Sequence, residues 1–345
     1  MTGREKSKQA AGSNEQLLGK SLYFLLAIVL LAAITAASIA IGSRQVEIQD
    51  IFSGLRGSAQ TIEEAAVVRR IMRTFLAVLT GAALALSGAL MQGLTRNPLA
   101  DPGILGVNAG ASLAVVIGIA FFGITAADTF IWMAILGASI TAALVYALGS
   151  SGPDGTSPLK LALAGAAVSI ALSSIITAIL LPRVDIAGGV RAWLVGGVGG
   201  ATPDGIVHIV PFLTVGVLLS AVSAWRLNAL ALGDRLARGL GENLVVARLL
   251  AAAAGIVLCA AATAACGPIA FVGLVVPHVC RTLFGTDHRW LLPFCAVFGA
   301  CFLVAADIVG RVVARPTEIE VGIIAAFLGA PFFIWIVRQN KVRQL

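Results

Sequence analysis

Asp307 and Arg311 stand four residues apart in the stretch ADIVGR, inside an apolar segment. A helix brings side chains at that spacing together, and a carboxylate and a guanidinium that share a lipid environment are stable as a pair. That pair is the clearest ionisable feature of the apolar segments. Enzyme chemistry needs residue sets that are missing: no HExxH, no nucleophile elbow, no Cys/His cluster and no pair of carboxylates within an apolar segment occurs. No enzyme is expected. Gly19-Lys20-Ser21 is a Walker-like fragment, but Asn14 occupies the place of the upstream Gly of G-x-x-x-x-G-K-S/T and no strand precedes it, so ATP is not expected to bind this chain. No cofactor or metal is expected on it either.

The elements that must position these residues follow from composition. Of 345 residues, 59% are hydrophobic and only 12% charged, and the mean hydropathy is +0.97. A soluble fold of this composition would aggregate, so the fold class is an all-α polytopic membrane protein. The 38 Gly against 6% aromatics fit helices that pack closely in lipid. Apolar windows long enough to span lie at 21–42, 71–94, 104–123, 129–149, 159–181, 204–226, 246–266, 268–284, 291–310 and 321–337, about ten helices. The first window is too long for a signal-peptide core and is expected to be retained. With both termini inside, the inner segments hold every Lys and most of the Arg, so cytoplasmic termini in a plasma or inner membrane are expected. The domains are then a cytoplasmic tail 1–20, one transmembrane unit 21–338 and a second tail 339–345. The net charge of +7 is scattered between apolar segments without interleaved aromatics, which argues for membrane topology and lipid contact and against nucleic acid. Cys259, Cys266, Cys280, Cys295 and Cys301 form no CxxC pair and read as small packing residues.

Spans nearly empty of ionisable groups argue against coupling to an ion gradient, because a coupling ion needs polar partners in lipid. A permease of this kind takes its energy from elsewhere, which points to separate ATP-hydrolysing subunits on the cytoplasmic side. A standalone ion-coupled transporter is the competing reading. In the longest inner loop, 227–245, Leu232, Leu236 and Leu240 recur at i, i+4 and i+8 opposite Asp234, Arg235 and Arg238, predicting a short amphipathic helix ended by Gly239 or Gly241. Outside, 43–69 is long and mixed, with a short interfacial helix expected within it, and 188–200 is Gly-rich around Trp193. The turn Asn97-Pro98-Leu99-Ala100-Asp101-Pro102-Gly103 breaks two spans with paired Pro, and such a loop either lines a pathway as wall or gate or re-enters to hold helices together. Pro268, Gly273, Pro277 and His278 mark an irregular helix suited to flexing between inward and outward states, and His278 reads as a helix-end hydrogen-bonding residue before a ligand.

The run RTFLAVLTGAALALSGALMQGLTRNPLADPGILGVNAGASLAVV, from Arg73 to Val116, strongly resembles the FecCD family of permeases, which import ferric siderophores, haem and cobalamin. LNALALGDRLARGLG at 227–241, GPIAFVGLVVPHVCR at 267–281, GTDHRWLLP at 285–293, ADIVGR at 306–311 and RPTEIEVGIIAAFLGAPFFIWIVR at 315–338 extend the match over nearly the whole chain after residue 65. The resemblance implies the ten-helix permease fold of type II ABC importers, paired with a second permease, two ATP-binding subunits that carry ATP and Mg, and an external binding lipoprotein or periplasmic protein. It is closest to the ferric-siderophore branch that works beside a different permease, with haem and cobalamin as alternatives. The family's outward Arg-x-x-Arg pair falls on Arg70 and Arg73, and a third on Arg311; these resemble the positions that dock acidic residues of the binding protein, and a fixed guanidinium fork suits carboxylates. Headgroup anchoring is the plainer reading. Met72 stands where the family usually has Pro, which puts the shape of the chain there in doubt. The segment 228–241 resembles the family's coupling helices, so Leu232, Asp234, Leu236, Arg238, Leu240 and Gly241 are expected to meet a groove on the ATPase, or else to lie on lipid. Asn97, Pro98, Asp101, Pro102, Pro277 and His278 are the pathway or gate candidates.

Overall fold

A computed structural model describes residues 3–42, 61–103, 105–124, 127–151 and 158–338, with isolated positions between 47 and 53. Among the described residues every regular element is a helix: α1 Gly3–Ala40, α2 Ile62–Thr95, α3 Val107–Phe122, α4 Ala127–Ser150, α5 Pro158–Leu180, α6 Val184–Val195, α7 Pro203–Ala231, α8 Asp234–Gly239, α9 Leu244–Cys266, α10 Val272–Phe284, α11 His288–Val313 and α12 Val321–Arg338. Seven of them (α1 from Gly19, α2, α4, α5, α7, α9 and α11) are long and apolar enough to cross a membrane. The apolar helices α3, α10 and α12 are shorter. Together they occupy the ten expected windows, and α6 and α8 are additional short helices.

Local sequence sets the helix ends. Thr61 accepts a hydrogen bond from the Glu64 amide and Glu64 reaches back to the Thr61 amide, a reciprocal cap that starts α2 nine residues before the expected window. With Met72 in place of Pro, nothing interrupts the helix there, so Arg70 and Arg73 lie within α2 rather than in a loop before it. Asn243 caps α9 through the amides of Val245 and Val246, and Asp287 caps α11 through Arg289. Three other expectations shift. The segment 3–20 is helical and continuous with the first span. The Gly-rich stretch after 183 forms α6 up to Val195. The window beginning at 268 becomes helical only at Val272, after Phe271 adopts a left-handed conformation (φ 69°). The interfacial helix expected within 43–69 and the tail 339–345 fall mainly outside the described residues.

α2 is the centre of the bundle: 78% of its apolar stretch is buried, against 11% for α1 and 22% for α5, which leave most of their apolar side chains for lipid or a partner. Close approach is made by glycine. A Cβ on Gly81 would sit 2.4 Å from the Gly299 carbonyl of α11, and one on Gly88 would sit 1.9 Å from the Gly273 carbonyl of α10, so these helices meet backbone to backbone.

Candidate functional site

At one end of α2, three arginines converge on the last carbonyls of α1. The final four carbonyls of any helix lack intrahelical donors. Arg311 donates from Nη1 to the carbonyls of Ser38 (2.9 Å) and Ile41 (3.0 Å) and from Nη2 to Ser38 Oγ (2.6 Å), and Ser38 Oγ lies 2.7 Å from Thr74 Oγ1. Arg70 Nη1 donates to Ile39 and Ala40, at 3.2 and 3.1 Å, and Arg315 Nη2 to Gly42 at 2.6 Å. Beneath them Asp307, 1% exposed, accepts from Arg73 Nε at 2.8 Å and pairs with Arg311 Nε at 3.0 Å. The pair expected within ADIVGR is therefore formed, and Arg73 joins it. Arg73 also pairs with Glu318, whose side chain is 36% exposed.

Each of the three docking candidates, Arg70, Arg73 and Arg311, has partners within this chain. Arg70 and Arg311 are buried, with Arg70 Nη1 and both terminal nitrogens of Arg311 spent on the end of α1; Arg73 is buried against Asp307. The physical reason is that a helix terminus presents bare carbonyls and a partial negative charge, which attract guanidinium donors. Near this cluster Arg69 and Arg315 are exposed.

In α10, beside the last turn of α2, Pro277 has no amide proton to give to the Gly273 carbonyl four residues back. Gln92 Nε2 supplies the missing donor at 3.1 Å. The proline expected to loosen α10 is thus compensated by α2, and Gln92 is a site residue that sequence reasoning missed; a lone amide in an apolar span was the available signal. Asn108 of α3 is a second, accepting at Oδ1 from Cys259 Sγ (2.9 Å) and Thr263 Oγ1 (3.1 Å) of α9. His278 is half-buried and meets Phe332 edge to face, with ring centroids 6.1 Å apart.

At the far end of α2, Arg96 closes the helix in the left-handed conformation (φ 51°), and the turn from Asn97 follows. Asn97 Oδ1 accepts from the Leu99 amide and Asp101 Oδ1 from the Gly103 amide, at 3.0 and 2.7 Å, two side-chain turns that hold the loop. Asp101 and Pro102 are buried, while Asn97 and Pro98 are partly exposed. Asp101 lies over the start of α10: a Cβ on Gly273 would be 2.8 Å from its Oδ2.

The predicted amphipathic helix is present but shorter than 228–241. α7 continues to Ala231 with Leu232 as its C-cap, and α8 covers only 234–239, between Gly233 and Leu240. Leu232, Leu236 and Leu240 are 56%, 61% and 69% exposed, Arg238 is exposed, and Gly241 turns the chain with φ 83°. Ala237 alone of α8 is buried. An unpaired leucine ridge of this kind is a surface for another protein or for lipid. Its polar side is tied down: Asp234 pairs with Arg96 and, at 2.7 Å, with Arg248 of α9, and Arg226 of α7 pairs with Glu242. Partial burial opposes ionisation of Asp234, but hydrogen bonds from Arg96 and Arg248 hold its carboxyl below the usual range. The cluster is therefore intact at neutral pH and is lost only as pH falls below that range.

Comparison with known proteins agrees with this architecture. The chain is 40% identical over 315 residues to the ferric enterobactin transport system permease protein of Escherichia coli, covering 91% of this chain and 94% of that one. It is 38% identical over 323 residues to the Fe(3+)-citrate import system permease protein of Bacillus subtilis, covering 93% and 95%. Among solved structures, a metal-chelate type ABC transporter in an inward-facing conformation superimposes with a TM-score of 0.76 at 29% identity, covering 92% of this chain and 99% of the other. The family model of the FecCD transport family matches residues 29–339, and the chain belongs to that family.

Proposed function

We propose that this chain is the membrane-spanning permease subunit of an ATP-binding-cassette importer that carries ferric siderophores across the plasma membrane. The observation that carries the reading is near full-length similarity to iron-chelate permeases, joined to an exposed leucine ridge at one end of the bundle. A second, different permease completes the pathway against the exposed faces of this chain. Two ATP-binding subunits, holding ATP and Mg, seat on α8, and an external binding protein delivers the chelate at the arginine-rich end. Both termini are then cytoplasmic. At the outer end the exposed Arg69 and Arg315 face the binding protein's carboxylates, with Arg70, Arg73 and Arg311 fixing the platform beneath. The 97–103 turn and the start of α10, including Pro277 and His278, form the inner gate.

Uptake tests this. A strain lacking the chain, compared with the same strain carrying it on a plasmid, is given radiolabelled ferric enterobactin, ferric citrate, a ferric hydroxamate, haem and cobalamin. Restored uptake of one ferric siderophore, abolished by an ATPase mutation in the partner, is the expected result. Restored haem or cobalamin uptake alone overturns the substrate, and uptake that survives the ATPase mutation but collapses with an uncoupler overturns the class. For the α8 surface, Leu236→Asp places a charge on the ridge and is expected to separate the ATPase from the permease. Normal co-purification of the two would count against α8 as the seat.

A further inference from the structure

The coupling helix α8 rests on α7 and α9, yet one ion pair reaches from it to a different place. Asp234, its first residue, binds Arg96, the residue on which α2 ends and the 97–103 turn begins. Arg96 is one of two described non-glycine residues with positive φ, 51°. A side chain in that conformation costs about 1 kcal/mol or more and persists only where the surroundings enforce it. The Arg96 amide is held by the Gln92 carbonyl, and its guanidinium is held by the first turn of α8. The same carboxylate binds Arg248 from the opposite side, so Asp234 is fixed to the body of the protein through α9 and to the turn through Arg96. Asp101, five residues beyond Arg96, is in turn lodged over the start of α10.

We infer that the Arg96–Asp234 ion pair is the mechanical link through which displacement of α8 resets the 97–103 turn, making Arg96 a positioning residue for gate opening. This rests on the importer reading. When α8 shifts, its carboxylate pulls the guanidinium of a residue already held in a costly conformation, and the turn that follows is carried with it. A pair that merely braced the loop would behave differently: glycine, which adopts positive φ freely, would then serve at position 96 at least as well as lysine.

The test uses the complete complex in proteoliposomes, with radiolabelled ferric enterobactin and ferric citrate as probes, and reads uptake per ATP hydrolysed. Arg96→Gly keeps the backbone and removes the link; uptake per ATP is expected to fall about tenfold, the scale of a typical coupling energy, while hydrolysis and co-purification of the ATPase persist. Arg96→Lys retains the charge and is expected to stay within about twofold of the natural protein. Arg248→Ala removes the carboxylate's other partner and is expected to change the ratio by less than about twofold. Asp234→Asn breaks the link from the opposite side and, with co-purification of the ATPase and its hydrolysis unchanged, decides the matter if Arg96→Gly does not assemble. Equal losses in Arg96→Gly and Arg96→Lys, or an unchanged ratio in both Arg96→Gly and Asp234→Asn, would overturn the link. A natural complex without ATP-driven uptake of any chelate is a different result: it overturns the importer reading, and the link with it.

Discussion

Asp307→Asn is expected to destabilise the permease by about 3–5 kcal/mol, because it leaves Arg73 and Arg311 buried around a neutral amide. Both arginines are almost wholly withdrawn from solvent, at 9% and 2% exposure, so water cannot replace the lost carboxylate. The donors of Arg311 remain committed to the end of α1 while its counter-charge is gone. The five cysteines are free and buried, so a thiol-reactive dye in detergent reports unfolding directly, and the variant is expected to show a markedly lower Tm. Glu318→Gln supplies the contrast. Its carboxylate also pairs with Arg73 but is partly solvated, and its loss is expected to cost no more than about 1 kcal/mol. Equal Tm values for the two variants would show that the buried carboxylate is not the keystone of this end.

The second large effect is expected at Gly88. Its missing side chain lets α2 touch the backbone of α10 at Gly273, and a methyl group there would lie 1.9 Å from a carbonyl oxygen, with no flexible side chain to give way. Gly88→Ala must push the two helices apart, and the hydrogen bond from Gln92 that replaces the one Pro277 cannot make goes with them. A loss of about 3 kcal/mol is expected. Gly188→Ala and Gly189→Ala, in α6 where nothing lies within 4 Å of the added methyl, are expected to be neutral or slightly stabilising. Matching Tm values across all three variants would remove the argument for backbone contact.

The helices were legible because lipid leaves few ways to satisfy a backbone, and apolar length alone then marks a span. The ADIVGR pair was legible because only one geometry joins charges four residues apart on a helix. The start of α2 was written as Thr61-Ile-Glu-Glu64 and passed over in favour of the apolar window, though the capping signature is the stronger local signal. The burial of Arg70 and Arg311 was not legible. Nothing near residue 70 or 311 announces that the end of a helix at residue 40 will claim their donors, since that competition exists only once α1, α2 and α11 are packed. Gln92 repairing Pro277 is of the same kind: each residue reads alone as an oddity, and only the fold makes them complementary. The leucine ridge at 232–240 was visible because exposure on one face of a short segment depends on local periodicity, while its attachment through Asp234 to Arg96, 138 residues away, does not.

The arginine clasp on α1 also bears on how the chain is made. Arg70 follows α1 closely, but the donors from Arg311 reach Ser38 across 273 residues of sequence, after α2 to α10 have been synthesised. The last turn of α1 therefore stays incomplete until α11 has been made, and the clasp closes only then. A chain cut short before α11 holds the end of α1 by Arg70 and lacks the donors of Arg311 and Arg315.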